Sequence, residues 1–92
     1  MTFQRVEGAD KGRIVVYALS TCMWCRMAKN LLQDMGVAYE FIDVDTLPAE
    51  EKDAVKQEIK RWNPDGSYPT IVIGEQECVS GFDETEIRGK IH

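Results

Sequence analysis

Two cysteines separated by two residues are the part of this sequence with the clearest chemistry. Residues 22–25 read Cys-Met-Trp-Cys. Two thiols at this spacing can close a small disulfide ring, and a thiolate is the nucleophile of thiol–disulfide exchange. We expect Cys22 to attack a substrate disulfide and Cys25 to resolve the mixed disulfide, releasing the reduced product. The cysteine pair, Cys22 and Cys25, therefore predicts redox chemistry.

A static disulfide, a buried thiol pair or a zinc site are the alternatives for the same cysteines. Three cysteines make no even set of disulfides, and a close pair in a reducing compartment is more typical of a catalytic or metal site. Structural zinc takes four ligands, and beyond the pair only Cys78 and His92 could supply them. Redox chemistry is therefore favoured. Cys78 lies in a predicted strand and is expected to act as a small apolar residue, with a regulatory thiol as the alternative.

The elements on either side place the pair at the start of a helix. Residues 14–19 form an apolar, β-rich run typical of a strand buried on both faces. From Met23 the apolar residues follow helical spacing until Gly36, a typical helix end. Cys22 would thus lie where free N–H groups and the helix dipole stabilise a thiolate. Arg26 is expected to tune the acidity of this thiol with its positive charge.

The rest of the chain predicts one α/β domain. A chain of 92 residues is long enough for one domain and too short for two. We expect a flexible lead-in over residues 1–12 and a domain over residues 13–92, with the order β-α-β-α-β-β-α. The predicted elements after the first helix are a strand over 38–44, a charged surface helix over 46–62, strands over 70–73 and 77–80, and a helix from 84 toward 91.

The charge of the chain argues against two classes of partner. The formal net charge is -5, and a protein that binds nucleic acid or an anionic membrane needs a basic face. The first residues lack the apolar core of a signal peptide, and no stretch is long enough to cross a membrane. We therefore expect a cytoplasmic protein, and a monomer, with neither nucleic acid nor membrane as a partner.

Three features near the pair have ordinary expected roles. Met27 is expected in the core, together with Tyr17 and Leu31. Lys29 is expected to be solvated, with an effect on the local potential as the alternative. Residues 63–66, Asn-Pro-Asp-Gly, are expected to form a plain surface turn, with a place at the rim of a substrate groove as the alternative.

Three segments carry a resemblance to a known family. Residues 17–25 look like the strand and active-site motif of the glutaredoxins. Residues 67–70, Ser-Tyr-Pro-Thr, resemble their Thr-Val-Pro loop, and residues 80–84 resemble their Gly-Gly-x-Asp-Asp turn. The Ser-Gly-Phe of this turn is more similar to the glutaredoxin-like redoxins that supply electrons to ribonucleotide reductase. The resemblance covers residues 13–91.

The resemblance implies a thioredoxin fold, with a four-stranded mixed sheet flanked by three helices. It implies that Pro69 is cis and faces the cysteine pair, and that the backbone of Tyr68 pairs with a bound peptide or thiol. It implies that Asp83 contacts the amino end of glutathione, although helix capping is the favoured role for this residue. Trp24 is either an exposed platform for substrate or packed against its own helix. The expected substrate- and thiol-binding residues are Met23, Trp24, Ser67, Tyr68, Pro69, Gly81, Phe82 and Asp83.

A departure from the family bears on the reductant. Glutaredoxins that use glutathione usually carry a basic residue three positions before the first cysteine, and this chain has Leu19 there. We expect a thiol–disulfide oxidoreductase that reduces protein disulfides and needs no resident cofactor. Its reductant would be a thioredoxin-reductase-type flavoenzyme, which Leu19 and the Ser-Gly-Phe turn favour, or glutathione acting as a co-substrate.

A second departure leaves an alternative function. Many glutaredoxins have Pro-Tyr between the cysteines, where this chain has Met23 and Trp24. Some members without that proline hold a bridging [2Fe–2S] cluster between two subunits, with glutathione completing the ligands. An iron–sulfur cluster or metal carrier using the same cysteines is therefore the alternative. It is less favoured because one pair supplies too few thiolates by itself.

Overall fold

The chain folds as one mixed sheet with helices on both faces. A computed structural model describes residues 3–91. A 3-10 turn over Val44–Thr46 joins the third strand to the second helix. The elements in chain order are β1 (Gln4–Val6), β2 (Ile14–Ala18), α1 (Met23–Asp34), β3 (Tyr39–Asp43), α2 (Ala49–Trp62), β4 (Thr70–Ile73), β5 (Glu77–Ser80) and α3 (Glu84–Lys90).

The strand β2 lies at the centre of the sheet. The strand order is β1-β3-β2-β4-β5. β2 runs parallel to β3 and antiparallel to β4, while β1 and β5 form antiparallel edges. All five residues of β2 are buried, as the apolar run predicts for a strand covered on both faces.

Two hydrophobic clusters cover the two faces of this strand. Ile14, Val16 and Ala18 point into a cluster with residues of α1 and α3. Val15 and Tyr17 point into the other, which α2 covers with buried side chains. The period of two residues along β2 therefore divides the core between the two faces of the sheet.

The expected thioredoxin-type fold is confirmed, with one difference in the number of strands. The sheet has five strands, where four are expected. The extra strand β1 lies within the predicted lead-in, and it pairs with β3 through Gln4↔Phe41 and Val6↔Tyr39. Its three residues are too few to show an alternating pattern. Met1 and Thr2 lie outside the described residues.

The remainder of the lead-in is also held against the domain. The N–H of Ala9 donates to the carbonyl of Gly36 at 2.8 Å, and the Ala9 carbonyl accepts the N–H of Ala38 at 2.9 Å. Ala9 is thus hydrogen-bonded to the loop between α1 and β3, and the domain boundary at residue 13 stays a prediction. Within residues 3–91, no helix combines the length and hydropathy that crossing a membrane would require.

The close approach of Gly8 to residues 36–38 can be tested by substitution. A Cβ at Gly8 would lie 2.6 Å from the carbonyl carbon of Val37. We expect Gly8→Ala to lower the free energy of unfolding by about 1–3 kcal/mol, because it overpacks this contact. Gly89→Ala in α3 is the control, since its Cβ meets open space. It should leave stability unchanged or raise it by up to about 1 kcal/mol. Equal urea midpoints for both variants would contradict the docking of the lead-in.

Candidate active site

Cys22 is the N-cap residue of α1. Its Sγ accepts the N–H of Cys25 at 3.2 Å, and its carbonyl accepts the N–H of Arg26 at 3.1 Å. The first N–H groups of a helix have no partner within the helix, so the sulfur takes the place of the usual capping oxygen. The predicted position of Cys22 is confirmed. A thiolate formed there would lie at the positive end of the helix dipole.

Cys25 lies one turn into the helix and has no exposed surface. Burial raises the pKa of the Cys25 thiol to about 12, and the hydrogen bond to Cys22 adds to the effect. Cys22 is partly exposed, and both cysteines are free thiols. The two thiols therefore differ in access: a large substrate can reach the first but not the second.

The loop before β4 carries the second motif, and its Tyr68–Pro69 peptide bond is cis. Tyr68 is partly buried and contacts both hydrophobic clusters. Burial raises the pKa of Tyr68, and the neighbouring Cys25 raises it further. Tyr68 thus brings this loop to the cysteine pair. Ser67 is exposed beside it, and Pro69 is buried.

Asn63 holds the loop, a role that the sequence does not indicate. It is only 3% exposed, and its side-chain nitrogen donates to Ser67 Oγ at 3.0 Å and Thr70 Oγ1 at 3.1 Å. The hydroxyl of Thr70 donates to the Ser67 carbonyl at 2.7 Å. Residues 63–66 therefore do more than form a surface turn. The sequence indicates a turn at residues 63–66, but the turn motif does not predict which groups the Asn63 side chain contacts.

The third motif joins this loop through the backbone. The N–H of Gly81 donates to the carbonyl of Pro69 at 2.8 Å, and Gly81 has a φ of 79°, which favours glycine. Phe82 stacks on Trp24, with ring centroids 6.0 Å apart. Asp83 Oδ1 accepts the N–H of Glu86 at 3.0 Å, so it caps α3. Its expected contact with a thiol ligand stays a prediction.

Comparison with known proteins decides the family. The glutaredoxin family model matches residues 14–78. This chain belongs to the glutaredoxin family. The resemblance drawn from the three motifs is thereby confirmed, and the matched range contains the cysteine pair and the loop of Tyr68.

Individual glutaredoxins agree with this assignment. The chain is 39% identical over 70 residues to glutaredoxin 1 of Rickettsia conorii, a match that covers 76% of this chain and 65% of that relative. The glutaredoxin of Methanosarcina mazei Go1 superposes with a TM-score of 0.89 at 39% identity, over 97% of this chain and 86% of that one. Methanoredoxin of Methanosarcina acetivorans superposes with a TM-score of 0.88 at 43% identity, and the match covers 91% of this chain and 88% of that one.

This glutaredoxin carries an exposed apolar patch beside Cys22. Among the described residues, the large hydrophobic side chains classed as exposed are Met23 (72%), Trp24 (57%) and Met27 (39%). The prediction that Met27 lies in the core is wrong, because the buried stripe of α1 is narrower and runs through Ala28, Leu31 and Leu32. We call Met23, Trp24, Met27 and Phe82 the apolar patch. A groove of about 260 Å³ runs between Met27, Phe82 and the start of α3.

Two basic residues follow the pair on α1, and they differ in exposure and in ion pairing. Arg26 is exposed and forms no ion pair within residues 3–91, so its tuning role stays a prediction. Lys29 differs from the solvated residue that the sequence predicts, because its side chain is only 20% exposed and its Nζ lies 3.0 Å from Asp43 Oδ1. The same ammonium lies 4.0 Å from the centre of the Phe41 ring. The sequence of α1 does not predict these contacts of Lys29, since both of its partners lie on β3.

A zinc site or an iron–sulfur cluster would require a set of suitably placed ligand side chains. Within residues 3–91, no group of three or more His, Cys, Asp or Glu side chains is arranged to hold a metal. His92, considered as a zinc ligand, lies outside the described residues. The pair offers two thiolates, and an iron–sulfur cluster takes four such ligands. Cys78 lies on β5, and burial raises the pKa of its thiol.

The buried position of Cys25 predicts a titration far from the ordinary one. In a Cys22→Ser/Cys78→Ala protein, Cys25 is the remaining cysteine, and burial, the largest cause of the shift, persists. We expect the chemical shift of its labelled Cβ to titrate with a midpoint clearly above the ordinary pKa of 9.0. A midpoint at or below 9.0 would contradict the buried environment.

Proposed function

We propose that this chain is a dithiol thiol–disulfide oxidoreductase that reduces disulfides in proteins. The observation that carries the proposal is the asymmetry of the pair: Cys22 is partly exposed at a helix start, and Cys25 is buried one turn behind it. This is the division that a nucleophile and a resolving thiol require. Family membership supports the proposal. The chain spans about two thirds of the length of the first curated relatives that it matches. We therefore propose the activity from the geometry of this chain's own cysteines.

The first step belongs to Cys22. Its thiolate attacks one sulfur of the substrate disulfide and forms a mixed disulfide, while the other substrate sulfur leaves with the bonding electrons and takes up a proton. The N–H of Cys25 donates to the attacking sulfur before reaction, and the free N–H groups of the first turn favour its negative charge.

The second step belongs to Cys25. After losing its proton, Cys25 attacks Cys22 Sγ, closes the intramolecular disulfide and releases the second substrate thiol. The substrate disulfide has then gained two electrons, and the pair has lost them. Burial, the largest cause of the raised pKa of Cys25, persists in the mixed disulfide, so this thiol is rarely ionised at neutral pH. The step therefore depends on the short distance between two thiols held on one helical turn.

The surroundings of Cys22 support a protein substrate. The apolar patch offers a surface of a kind that marks protein–protein contacts, and Met23 and Trp24 lie immediately next to the nucleophile. The loop of Ser67, Tyr68 and Pro69 offers backbone groups for strand-like pairing with an extended peptide. Gly81 and Asp83 lie on the turn bonded to this loop. We propose these residues as the substrate-binding surface.

Position 19 holds an apolar leucine, and this bears on which reductant the protein uses. Leu19 is partly buried and packs against the cluster under α2, so position 19 itself supplies no positive charge for a carboxylate. It lines a groove of about 250 Å³ with Tyr68, Lys52 and Lys56. We propose a thioredoxin-reductase-type flavoenzyme as the electron donor. Glutathione is the other candidate, because the two lysines offer charge for a carboxylate.

Serine substitutions separate the roles of the two cysteines. Cys22→Ser should reduce disulfide reduction to background, because the nucleophile is lost. Cys25→Ser should instead accumulate a mixed disulfide with the substrate, detected by mass spectrometry. Cys78→Ala is the control and should retain activity. Turnover by Cys22→Ser would contradict the proposal. A visible charge-transfer spectrum after anaerobic purification would favour the iron–sulfur carrier instead.

The two electron donors can be compared directly. We expect NADPH with thioredoxin reductase to reduce the oxidised protein rapidly, and glutathione to reduce it slowly. Leu19→Lys should raise the rate with glutathione by up to about fivefold, since an exposed ion pair is worth up to about 1 kcal/mol. Gln76→Lys adds the same charge in the β4–β5 turn and should leave the rate unchanged. Rapid reduction of the parent by glutathione alone would contradict the proposed donor.

A further inference from the structure

The ion pair between Lys29 and Asp43 joins α1 to β3 and takes no part in the two exchange steps of Cys22 and Cys25. Their side chains are 20% and 19% exposed, which is low for charged groups. The Lys29 ammonium also lies over the ring of Phe41, at 4.0 Å from its centre. Ion pairing and the cation–π contact together keep this charge against the protein rather than in solvent.

The position of the ion pair points to Cys25. Lys29 follows Cys25 by four residues on α1, and residues at this spacing share one face of a helix, roughly 5–6 Å apart at Cβ. Asp43 ends β3 and is in register with Ala18 at the end of β2, the strand that leads into the cysteines. The helix therefore places Lys29 one turn after Cys25, and the parallel strands place Asp43 beside the end of the strand that leads into the cysteines.

We propose that Lys29, held in place by Asp43, supplies the positive charge that stabilises the Cys25 thiolate in the resolving step. Asp43 is then a positioning residue, since it acts through Lys29. The inference rests on the proposed function, because it assigns a part in the second half of that cycle.

The groups facing Cys25 leave this task to Lys29. Burial is the largest effect that opposes ionisation of Cys25, and in the mixed disulfide Cys22 carries no charge that could add to it. A hydrogen bond from the backbone of Leu19 favours the thiolate, and the charge of Lys29, on the same helix, favours it as well. From the loop before β4, Tyr68 contributes a neutral phenol, whose pKa burial raises. Among the described groups that act on this thiol, Lys29 is the cation.

The resolving step requires no proton transfer to or from Lys29. The Cys25 thiol gives its proton to water, and the thiolate bonds to Cys22 Sγ. The bond between Cys22 and the substrate sulfur breaks, its electron pair leaves with the substrate, and the substrate thiolate takes up a proton. Negative charge passes from Cys25 to the departing sulfur, and Lys29 is neither donor nor acceptor of the proton.

Removing the Lys29 charge has two opposing effects on the rate of resolution: fewer Cys25 thiols are ionised, and each thiolate is a better nucleophile. If loss of the cation raises the Cys25 pKa by about one unit, the thiolate becomes roughly tenfold scarcer. The more basic thiolate is about threefold more nucleophilic, for a Brønsted slope near 0.4–0.5. Resolution should therefore slow by about threefold, and by the same factor at each pH below the pKa.

The experiment follows the lifetime of the mixed disulfide. Reduced protein is mixed with a cystine-bridged model peptide, quenched in acid at set times, and the mixed disulfide is quantified by mass spectrometry. Lys29→Gln keeps a donor for Asp43 and removes the charge, and it should lengthen the lifetime about threefold from pH 6 to 9. Formation of the mixed disulfide should change less than its decay. Lys29→Arg should restore the parent lifetime, because it keeps the charge.

Two further variants guard against a merely structural effect. Lys90→Met removes another partly exposed, ion-paired lysine, 3.8 Å from Glu86 on α3, and should leave the lifetime unchanged. The double variant Lys29→Met/Asp43→Leu leaves no unpaired carboxylate, so it can be measured if Lys29→Gln fails to fold, and it should also resolve slowly.

The outcomes separate this inference from the proposed function. An unchanged lifetime in Lys29→Gln, or an equal slowing in Lys29→Arg, would overturn the role of the Lys29 charge. Absence of any mixed disulfide in Cys25→Ser would overturn the proposed function itself. Trapping by Cys25→Ser together with parent-like decay in the Lys29 variants would overturn only the inference.

Discussion

Burial of β2 on both faces is the constraint on which the rest of the structure depends. Alternate residues of this strand enter two clusters, one covered by α1 and α3 and the other by α2. A strand in this position must be followed by a chain reversal onto one face, and α1 makes that reversal. The first turn of α1 therefore lies at the carboxyl end of β2, where Cys22 caps the helix. The site is a consequence of how the central strand is covered.

The same packing creates the difference between the two thiols. Because α1 presses its apolar side against the sheet, the cysteine at its cap is partly exposed and the one a turn later is fully buried. Helix-end N–H groups can support charge on the first sulfur. Charge on the second sulfur is opposed by burial, and the nearby cation is Lys29, held against β3 by Asp43. An exposed and a buried thiol thus need different electrostatic support.

Two loops that are distant in the chain complete the site. β4 pairs with β2 and β5 pairs with β4, so the segments before β4 and after β5 reach the same end of the sheet as Cys22. Asn63 fixes the first loop through Ser67 and Thr70. The backbone bond from Gly81 to Pro69 joins the second loop to the first, and the ring stack between Trp24 and Phe82 extends the surface across α1.

The sequence alone determined the features that depend on neighbours in the chain. The apolar run of β2, the helical spacing after Cys22 and the cap at Asp83 are local patterns, and each was predicted correctly, as was the family. Only the tertiary structure decided the pairing of β1, the exposure of Met27, the network of Asn63 and the burial of Lys29. An edge strand of three residues has no period to detect, and the partner of Lys29 is 14 residues away on another element. Such contacts depend on how elements are brought together, which local spacing does not encode.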